Sequence, residues 1–524
     1  MILGCPGALP NSGSDPRAAV EERIARGAGR RALPVTAFMP ELETALASFG
    51  EEIIKPYANA LESGAFWRCR YAVIASDRQR ASYPAFSFRR ENWTRNGKTA
   101  REFKEMPLPR EDVEATTPKF LRDKYAIVGV GETTYTRGSD KSTRALASIA
   151  VRNAMADAGL KASEIDGMLS YQFNDSVFSP FVAGDLGIRL NFYMDAFGGG
   201  SSTEALIGIA IGVIEAGMCK TVVIFRSMNG FSQVRIGGTG VRSAVPVSGD
   251  MLHSRAYGWQ SAGQSFAPSF MRHMYDFGTT AEQVAQVRVA HSHHASNNPK
   301  AYYKKRITVE DVVGSRMICK PLHLLDCCVE TDNANAIIVT TAERAKDLKQ
   351  PLVQIRGVVG RCSKPRVDMH YQTGPISTVA GRYARDILWP NAGVGPEDVD
   401  LTGSYDAFTF TTMLQLEDYG FCKKGEGGHY VSDGTIMLGG KRPNNTSGGH
   451  LCEGYTHGIA MVIENVRQLR HDADDSCPIG PDGKRQHTYD YREGGCRQVK
   501  NAEVSANLGW AMPGTGSAMV MRRG

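Results

Sequence analysis

The sequence predicts an α/β fold made of two similar halves, with an extra segment in front of them. Short apolar runs alternate with amphipathic stretches from Tyr125 onward, an order typical of a largely parallel sheet covered by helices. A stretch of the first half, residues 158–166, recurs in altered form at residues 392–400. The 56 glycines among 524 residues suit a fold with many tight turns and close backbone contacts.

The segment in front, residues 1–120, differs in composition from the rest of the chain. Residues 1–36 are rich in Gly, Pro, Ala and Arg, which predicts disorder. Residues 41–63 have a helical period, whereas residues 64–118 show none. We therefore treat residues 1–120 as a partly disordered N-terminal extension, to which the sequence assigns no function.

The elements of the first half follow one another by alternation. The helix expected after the first strand has Ser142 as a candidate N-cap and Gly159 at its end. The helix before the last strand is almost entirely apolar, which indicates burial on most sides. In chain order the predicted elements are strand 125–131, helix 142–160, strand 167–173, helix 203–218 and strand 221–228.

The internal repeat extends beyond one stretch. AGLKASEID (158–166) is echoed by AGVGPEDVD (392–400), and the same offset carries Tyr171 onto Tyr405. Two matches in register indicate a duplicated α/β unit, and a cleft between duplicated halves is a natural place for an active site. We expect the halves to comprise residues 121–345 and 346–524.

Composition and charge exclude several classes of function. The net charge of +6 is spread over a long chain with no basic stripe interleaved with aromatics, so no nucleic-acid surface is expected. No apolar run approaches the about 20 residues of a membrane span. The 11 cysteines are scattered without a C-x-x-C pair, which predicts reduced thiols in a cytoplasmic protein and no metal site. Cys327 and Cys328 are expected in a buried strand.

The second half contains the stretch NTSGGHLCEGYTHG (445–458). It resembles the C-terminal motif of the thiolase superfamily in the spacing of four glycines, at positions 448, 449, 454 and 458. The resemblance covers residues 124–524, approximately. It implies the thiolase fold, two βαβαβαββ halves in layered α/β form, and a homodimer that binds an acyl-CoA between the halves.

The departures from the thiolase pattern are as informative as the matches. Thiolases carry a nucleophilic cysteine before the helix that corresponds to residues 203–218, but here Gly199 occupies that place, give or take one residue. Tyr455 replaces the histidine of the thiolase Gly-His-Pro triplet. Without a thiolate no acyl-enzyme forms, and acyl transfer loses its covalent step.

These losses resemble a subgroup of the superfamily, the lipid-transfer-protein thiolase-like aldolases of bacterial steroid side-chain degradation. The shared features are the glycine at the nucleophile position, Tyr405 in SYDAF and Tyr455 in GYTHG. The resemblance implies retro-aldol cleavage of a bulky β-hydroxyacyl-CoA to a ketone and a short acyl-CoA. It also implies a small partner with an OB fold and a zinc ribbon, and no cofactor besides the coenzyme A of the substrate.

The chemistry assigns a hypothetical role to each candidate residue. A retro-aldol needs a group that takes the hydroxyl proton and donors that hold the enolate oxygen. We expect Tyr405 and Tyr455 to handle the proton, with His457 or Asp406 tuning them. Backbone N–H groups are expected to hold the oxygen and the substrate, and the absent cysteine side chain to leave room for a bulky substrate. The candidate glycines are Gly198, Gly199, Gly200 and Gly449.

Two other functions stay open at this point. One is a thiolase-type acyl-CoA C-acyltransferase in which another group does the work of the missing cysteine. The other is a non-catalytic subunit that binds lipid or acyl-CoA. The relative placement of Tyr405 and Tyr455 discriminates among the three, because the aldolase hypothesis fails if their side chains point away from each other.

Overall fold

The computed structural model describes the chain from residue 121 onward with internal gaps. The described residues are 121–233, 235, 256–259, 261–363, 376–474, 477–511 and 514–524. The predicted extension, residues 1–120, lies outside them.

Strands and helices alternate through the first part of the described chain, as predicted. Ser142 caps the first helix by accepting a hydrogen bond from the Ala145 N–H, and Gly159 ends it with φ +74°. The elements are β1 (Tyr125–Glu132), α1 (Thr143–Ala158), β2 (Gly167–Gln172), α2 (Ser179–Leu186), β3 (Phe192–Phe197), α3 (Thr203–Glu215) and β4 (Val222–Asn229).

A mostly helical insertion separates β4 from the last strand of this half. It consists of α4 (Ala262–Phe277), α5 (Ala281–Ser296), α6 (Val309–Val313), β5 (Met317–Cys319) and β6 (Leu322–His323), and β7 (Asp332–Thr341) and α7 (Ala342–Ala345) follow. The prediction that Cys327 and Cys328 lie in a buried strand is wrong. They belong to the connection before β7, where the backbone of Cys327 forms an isolated β-bridge with that of Phe408.

The second part of the chain has a similar order of elements. They are β8 (Val353–Ser363), α8 (Gly381–Ala392), β9 (Leu401–Ser404), α9 (Thr409–Asp418), α10 (Gly427–Ser432), α11 (Gly449–Cys452), α12 (Ile459–Arg470), β10 (Val504–Ala511) and β11 (Thr515–Arg523). The predicted limits of the halves place β1 to β7 in the first and β8 to β11 in the second.

The internal repeat is visible in the order of the strands. One nine-stranded sheet has the order β3-β2-β4-β7-β1-β8-β11-β10-β9. From its centre outward, β1-β7-β4-β2 and β8-β11-β10-β9 have the same pattern, two antiparallel pairings followed by a parallel one. The two halves meet where β1 and β8 pair antiparallel. This is the duplicated α/β architecture that the sequence predicts.

Two helices occupy equivalent central positions. The helix α3 packs against strands of both halves, including β4, β8 and β11, and α12 does the same against β1, β7, β9 and β10. Because each helix contacts strands of both halves, α3 is nearly all apolar and almost every residue of α12 is buried. In the chain, the Gly198–Gly200 loop leads into α3 and the Gly454–Gly458 loop leads into α12.

Within the described residues, no helix has the length and apolarity that crossing a bilayer requires.

Candidate active site

The two tyrosines predicted from the sequence lie together. The phenolic oxygens of Tyr405 and Tyr455 are 2.5 Å apart, and each side chain is only 6% exposed. Burial is the largest cause that raises the pKa of both phenols, so both are neutral near pH 7. Two neutral phenols joined by one hydrogen bond still have one free proton and free lone pairs for a third group.

The backbone at Tyr405 is held rigidly. Tyr405 follows β9, and its N–H donates to the Leu508 carbonyl at 2.9 Å. Its own carbonyl accepts from the Thr411 hydroxyl and the Gln415 amide, both at 2.8 Å. The ring therefore projects from a fixed strand end towards the start of the central helices.

Tyr455 is fixed by the start of β7 and by the connection that precedes it. Its N–H donates to the Val329 carbonyl at 3.1 Å, and its carbonyl accepts from the Asn333 side chain at 2.9 Å. Both partners come from the first half of the chain, whereas Tyr455 belongs to the second. The tyrosine pair therefore depends on the contact between the two halves.

His457 is the third predicted residue at the site, and a buried arginine determines which of its two ring nitrogens carries the proton. Its Nδ1 accepts a hydrogen bond from Nε of Arg226 at 3.1 Å, and Nη2 of Arg226 pairs with Asp175 at 2.5 Å. Burial first, and then the arginine charge, lowers the pKa of His457 well below its ordinary value. The imidazole is neutral, and its proton is on Nε2.

Gly199 lies beside the Nε2 side of that imidazole. A Cβ on Gly199 would be 2.7 Å from the Phe173 ring and 3.2 Å from Nε2 of His457. A cysteine therefore does not fit here unless one of these rings moves. The expectation that the missing side chain leaves room for a bulky substrate is wrong, since Phe173 and His457 fill that space.

Gly200 is required by the tyrosine pair. A Cβ there would be 2.2 Å from the Tyr405 ring and 2.3 Å from the Trp510 carbonyl oxygen. Within the described part of the chain, the N–H groups of Gly199 and Gly200 have no hydrogen-bond partner. They precede the N-terminus of α3, whose dipole favours negative charge.

Gly198 contributes differently from its two neighbours. Its N–H donates to the Gln172 carbonyl at 3.0 Å and is therefore occupied. The place of its missing side chain is taken by the guanidinium of Arg361, which donates to the Phe197 carbonyl at 2.8 Å and to the Ser202 hydroxyl at 2.5 Å. Gly198 thus allows an arginine to brace the loop before α3.

Asp406 lies beneath the tyrosines. One carboxylate oxygen accepts the His450 N–H at 2.9 Å, and Nδ1 of His291 is 2.9 Å from the other. Burial alone would raise the pKa of Asp406, but the neighbouring His291 and His450 outweigh it and lower the pKa. A Cβ on Gly449 would be 2.2 Å from this carboxylate, and the Gly449 N–H faces the Ser447 hydroxyl. Asp406 and Gly449 are thus placed to support the site from below.

His450 was not among the residues predicted from the sequence. It contacts both Asp406 and the two tyrosines. Its ring meets the rings of Tyr405 and Tyr455 edge-on, with centroids 5.1 and 4.8 Å away. Its Nε2 accepts the Gly458 N–H at 3.0 Å. Burial is the main cause that lowers the pKa of His450 to about 4. The neutral ring therefore packs against both tyrosine rings and restricts their positions.

Other residues of the site gave only weak signals in the sequence. Arg226 is a charged residue within an otherwise apolar strand, and this was the one available hint. Asp175 and Phe173 follow β2 in a stretch without a motif. Cys328 lies close enough to Tyr405 and Tyr455 to affect their pKa values, and burial raises its own pKa well above normal. A thiol held neutral in this way is a poor replacement for the missing nucleophile.

Comparison with known proteins gives concordant matches. Residues 368–479 match the family model described as thiolase C-terminal domain-like. The chain is 39% identical over 361 residues to the 17-hydroxy-3-oxo-4-pregnene-20-carboxyl-CoA lyase of Mycobacterium tuberculosis, which covers 67% of this chain and 92% of the relative. It is 35% identical over 358 residues to the steroid side-chain-cleaving aldolase of Thermomonospora curvata, and this match covers 66% of this chain and 90% of the relative.

A solved structure agrees with these relatives. The structure named Ltp2-ChsH2(DUF35) aldolase matches with a TM-score of 0.66 and 31% sequence identity. The match covers 77% of this chain and 98% of that chain. The similarity therefore extends over nearly the whole of the solved chain.

Proposed function

We propose that this chain cleaves a β-hydroxyacyl-CoA by a retro-aldol reaction. The chain belongs to the thiolase superfamily and to the branch that contains steroid side-chain-cleaving aldolases. The observation that carries this proposal is the tyrosine pair, 2.5 Å apart, which packs against Gly200, the neighbour of the glycine that replaces the thiolase cysteine. A non-catalytic subunit has no need of such a buried, ordered pair of proton carriers.

The proton moves along the tyrosine pair. The substrate hydroxyl gives its proton to the Tyr455 oxygen, Tyr455 passes its own proton to Tyr405, and Tyr405 delivers its proton to the α-carbon of the departing thioester. The bond between the α- and β-carbons breaks, the β-carbon becomes a ketone, and the electron pair forms the enolate. No tyrosine is ionised at any resting stage, which agrees with the raised pKa of both phenols.

The enolate oxygen is held by groups of this chain. The proposed donors are the N–H groups of Gly199 and Gly200, which have no partner within the described residues, and Nε2–H of His457, which lies beside Gly199. Such preorganised donors act on the charge that develops in the transition state, where removal of one donor costs roughly 10²–10³ in rate. The chemical step draws on no cofactor besides the coenzyme A that the substrate carries.

The substrate class is a bulky, steroid-like acyl-CoA with a tertiary hydroxyl at the β-carbon. This follows from the relatives, which are named as a 17-hydroxy-3-oxo-4-pregnene-20-carboxyl-CoA lyase and a steroid side-chain-cleaving aldolase. Substitution of Tyr455 removes the group that receives the hydroxyl proton.

The test is an assay of the purified protein with such a β-hydroxyacyl-CoA and, separately, with a 3-ketoacyl-CoA and free coenzyme A. We expect ketone and short acyl-CoA from the first substrate, formed about 10²–10⁴ times more slowly by Tyr455→Phe. The matched control is Tyr430→Phe, which loses a partly buried phenol bonded to Arg442 outside the site and should retain activity. Thiolysis of the second substrate would favour the acyltransferase alternative and overturn the proposal.

A small partner protein with an OB fold and a zinc ribbon is part of the proposal. The name of the solved neighbour, Ltp2-ChsH2(DUF35) aldolase, has two components, which supports a two-protein enzyme. We expect co-expression with such a partner to raise the yield and the activity. Equal activity with and without the partner would count against it.

A homodimer through the edge strand β3 is also proposed. Among described strands, β3 pairs only with β2, and it presents Tyr193 and Phe197, which are 55% and 57% exposed. Exposed aromatics on an open sheet edge are typical of an interface. We expect Tyr193→Glu to give a monomer in analytical ultracentrifugation, and Tyr275→Glu, on an exposed position of α4, to leave the dimer intact. A monomeric wild type would contradict the proposal.

We propose a cytoplasmic location, because the nine cysteines within the described residues are all free thiols. A disulfide found in the native protein would argue against this location.

A further inference from the structure

Four side chains of metal-binding type meet outside the active site, in the irregular segment between α12 and β10. Their potential ligand atoms all lie within 4.8 Å of one another, and three of the four side chains are buried. The cluster consists of Asp474, Cys477, His487 and Cys496. It offers two sulfurs, one imidazole nitrogen and one carboxylate oxygen.

The backbone between the ligands is folded so as to bring them together. The Gly480 N–H donates to the Lys484 carbonyl at 2.7 Å, and the Gln486 N–H donates to the Pro478 carbonyl at 2.8 Å. These bonds close a hairpin-like turn whose two ends are Cys477 and His487. A second turn, in which the Cys496 N–H donates to the Asp490 carbonyl at 2.6 Å, returns the last cysteine to the same place.

His487 is oriented as metal-binding histidines are. Its Nε2 lies 2.8 Å from the His471 carbonyl, so Nε2 carries the proton and donates it there. Its Nδ1 is buried and has no hydrogen-bond partner within the described residues. Histidine ligands almost always donate their second nitrogen to a carbonyl or carboxylate, which aims the first lone pair at the metal. A buried nitrogen left without a partner otherwise costs free energy.

We propose that this cluster is a structural zinc site. Sulfur and imidazole ligands select zinc among the common metals, and four protein ligands close the coordination sphere, as in structural sites. In a tetrahedral zinc site, bond lengths of about 2.0–2.3 Å place ligand atoms about 3.3–3.8 Å apart. The spacing in this structure thus needs only a small contraction around the metal.

The site ties the irregular segment to the fold. Next to Cys496, Arg497 pairs with Glu464 of α12 at 3.0 Å, and the Cys496 carbonyl accepts from the Asn297 side chain at 3.0 Å. Asn297 ends α5, and His471, whose carbonyl accepts from His487, ends α12, so the metal would link the C-terminal ends of α5 and α12. This role is structural, because Tyr455 and His457 lie at the opposite, N-terminal end of α12.

A disulfide between Cys477 and Cys496 is the competing outcome. It would account for the two sulfurs but would give no partner to Nδ1 of His487.

The spacing of the ligands explains why no metal site was predicted from the sequence. The four positions follow one another without a C-x-x-C pair, so only the folded chain reveals them.

The experiment measures zinc bound to the full-length protein, produced without the zinc-ribbon partner so that all metal belongs to this chain. We expect about one zinc per chain in the wild type and in Cys219→Ser, whose buried cysteine lies outside the cluster, and much less in His487→Ala and Cys496→Ser. Replacement of zinc by Co²⁺ should give a thiolate-to-metal charge-transfer band that Cys496→Ser weakens.

A second measurement covers the case in which a variant fails to fold. Chelation of the wild type should lower its melting temperature, and added zinc should restore it. The proposal is overturned by a zinc-free wild type, by equal zinc contents in the cluster variants and Cys219→Ser, or by a Cys477–Cys496 disulfide in the unreduced protein. None of these results depends on aldolase activity, so the zinc site and the proposed function fail separately.

Discussion

Nε of Arg226 donates a 3.1 Å hydrogen bond to Nδ1 of His457, and this one contact determines which imidazole nitrogen carries the proton. Arg226 has no exposed surface, and its charge is balanced by Asp175. The proton of His457 is therefore on Nε2, beside Gly199, where the proposed reaction needs a donor.

Replacement of Arg226 by Met should destabilise the protein strongly. It leaves the carboxylate of Asp175 buried and unpaired, which costs about 3–5 kcal/mol in free energy of unfolding. The double variant Arg226→Met/Asp175→Leu should recover much of this loss but none of the aldolase activity, since His457 still lacks its donor. Urea denaturation and the aldolase assay measure the two effects. Activity in the double variant would show that the tautomer of His457 is unimportant.

The two tyrosines should behave as one unit. Tyr405→Phe and Tyr455→Phe each interrupt the proton relay, and we expect each to lower kcat by about 10²–10⁴. The double variant should be no slower than the slower single variant, because a broken relay cannot be broken again. Steady-state kinetics on all four proteins gives this cycle. Additive effects of the two changes would mean that the phenols act independently.

Restoring the thiolase cysteine as Gly199→Cys should not restore thiolysis. The new Cβ would be 2.7 Å from the Phe173 ring and 3.0 Å from the nearest atom of His457, and such overpacking costs about 1–3 kcal/mol. We expect lower stability and loss of the aldolase activity. Gly212→Ala is the control, because a Cβ there meets nothing within 4 Å and should stabilise α3 by about 0.5–1 kcal/mol. A stable, thiolytic Gly199→Cys protein would contradict this account of the site.

Acidification should reduce the stability that one buried neutral histidine, His294, contributes. Burial, the largest cause, lowers the pKa of His294 from 6.5 to about 3. Between these values the unfolded chain binds a proton that the folded chain does not, so stability falls as the pH falls from about 6.5. Each such group contributes a slope of about 1.4 kcal/mol per pH unit.

The variant His294→Gln isolates this effect. Glu204, whose pKa burial raises to about 7, contributes the opposite slope between pH 4.5 and 7, so the net slope of the wild type mixes several groups. The slope of the wild type minus that of His294→Gln removes the shared contributions. We expect the variant to lose less stability per pH unit in urea denaturation between pH 6.5 and 4.5, and the exposed control His429→Gln to match the wild type. Identical slopes for His294→Gln and the wild type would refute the assignment.

Much of the fold and part of the site could be predicted from local patterns in the sequence. The alternation of strands and helices, the caps of α1 and the internal repeat depend on neighbours in the chain, and they are visible without a structure. Tyr405 and Tyr455 were found because each belongs to a short motif. Their relative placement was the open question, and the contact between the halves answered it.

Tertiary structure alone decided what lies around those residues. Arg226 looks like an outward-facing residue of a strand until β4 is buried in the sheet. Phe173 fills the space beside Gly199 only because the connection after β2 folds back onto it. The cluster of Asp474, Cys477, His487 and Cys496 has no local spacing signal. The physical reason is common to all three, because burial and coordination depend on groups that are distant in the chain and meet only after packing, whereas sequence patterns record what each segment does with its own neighbours.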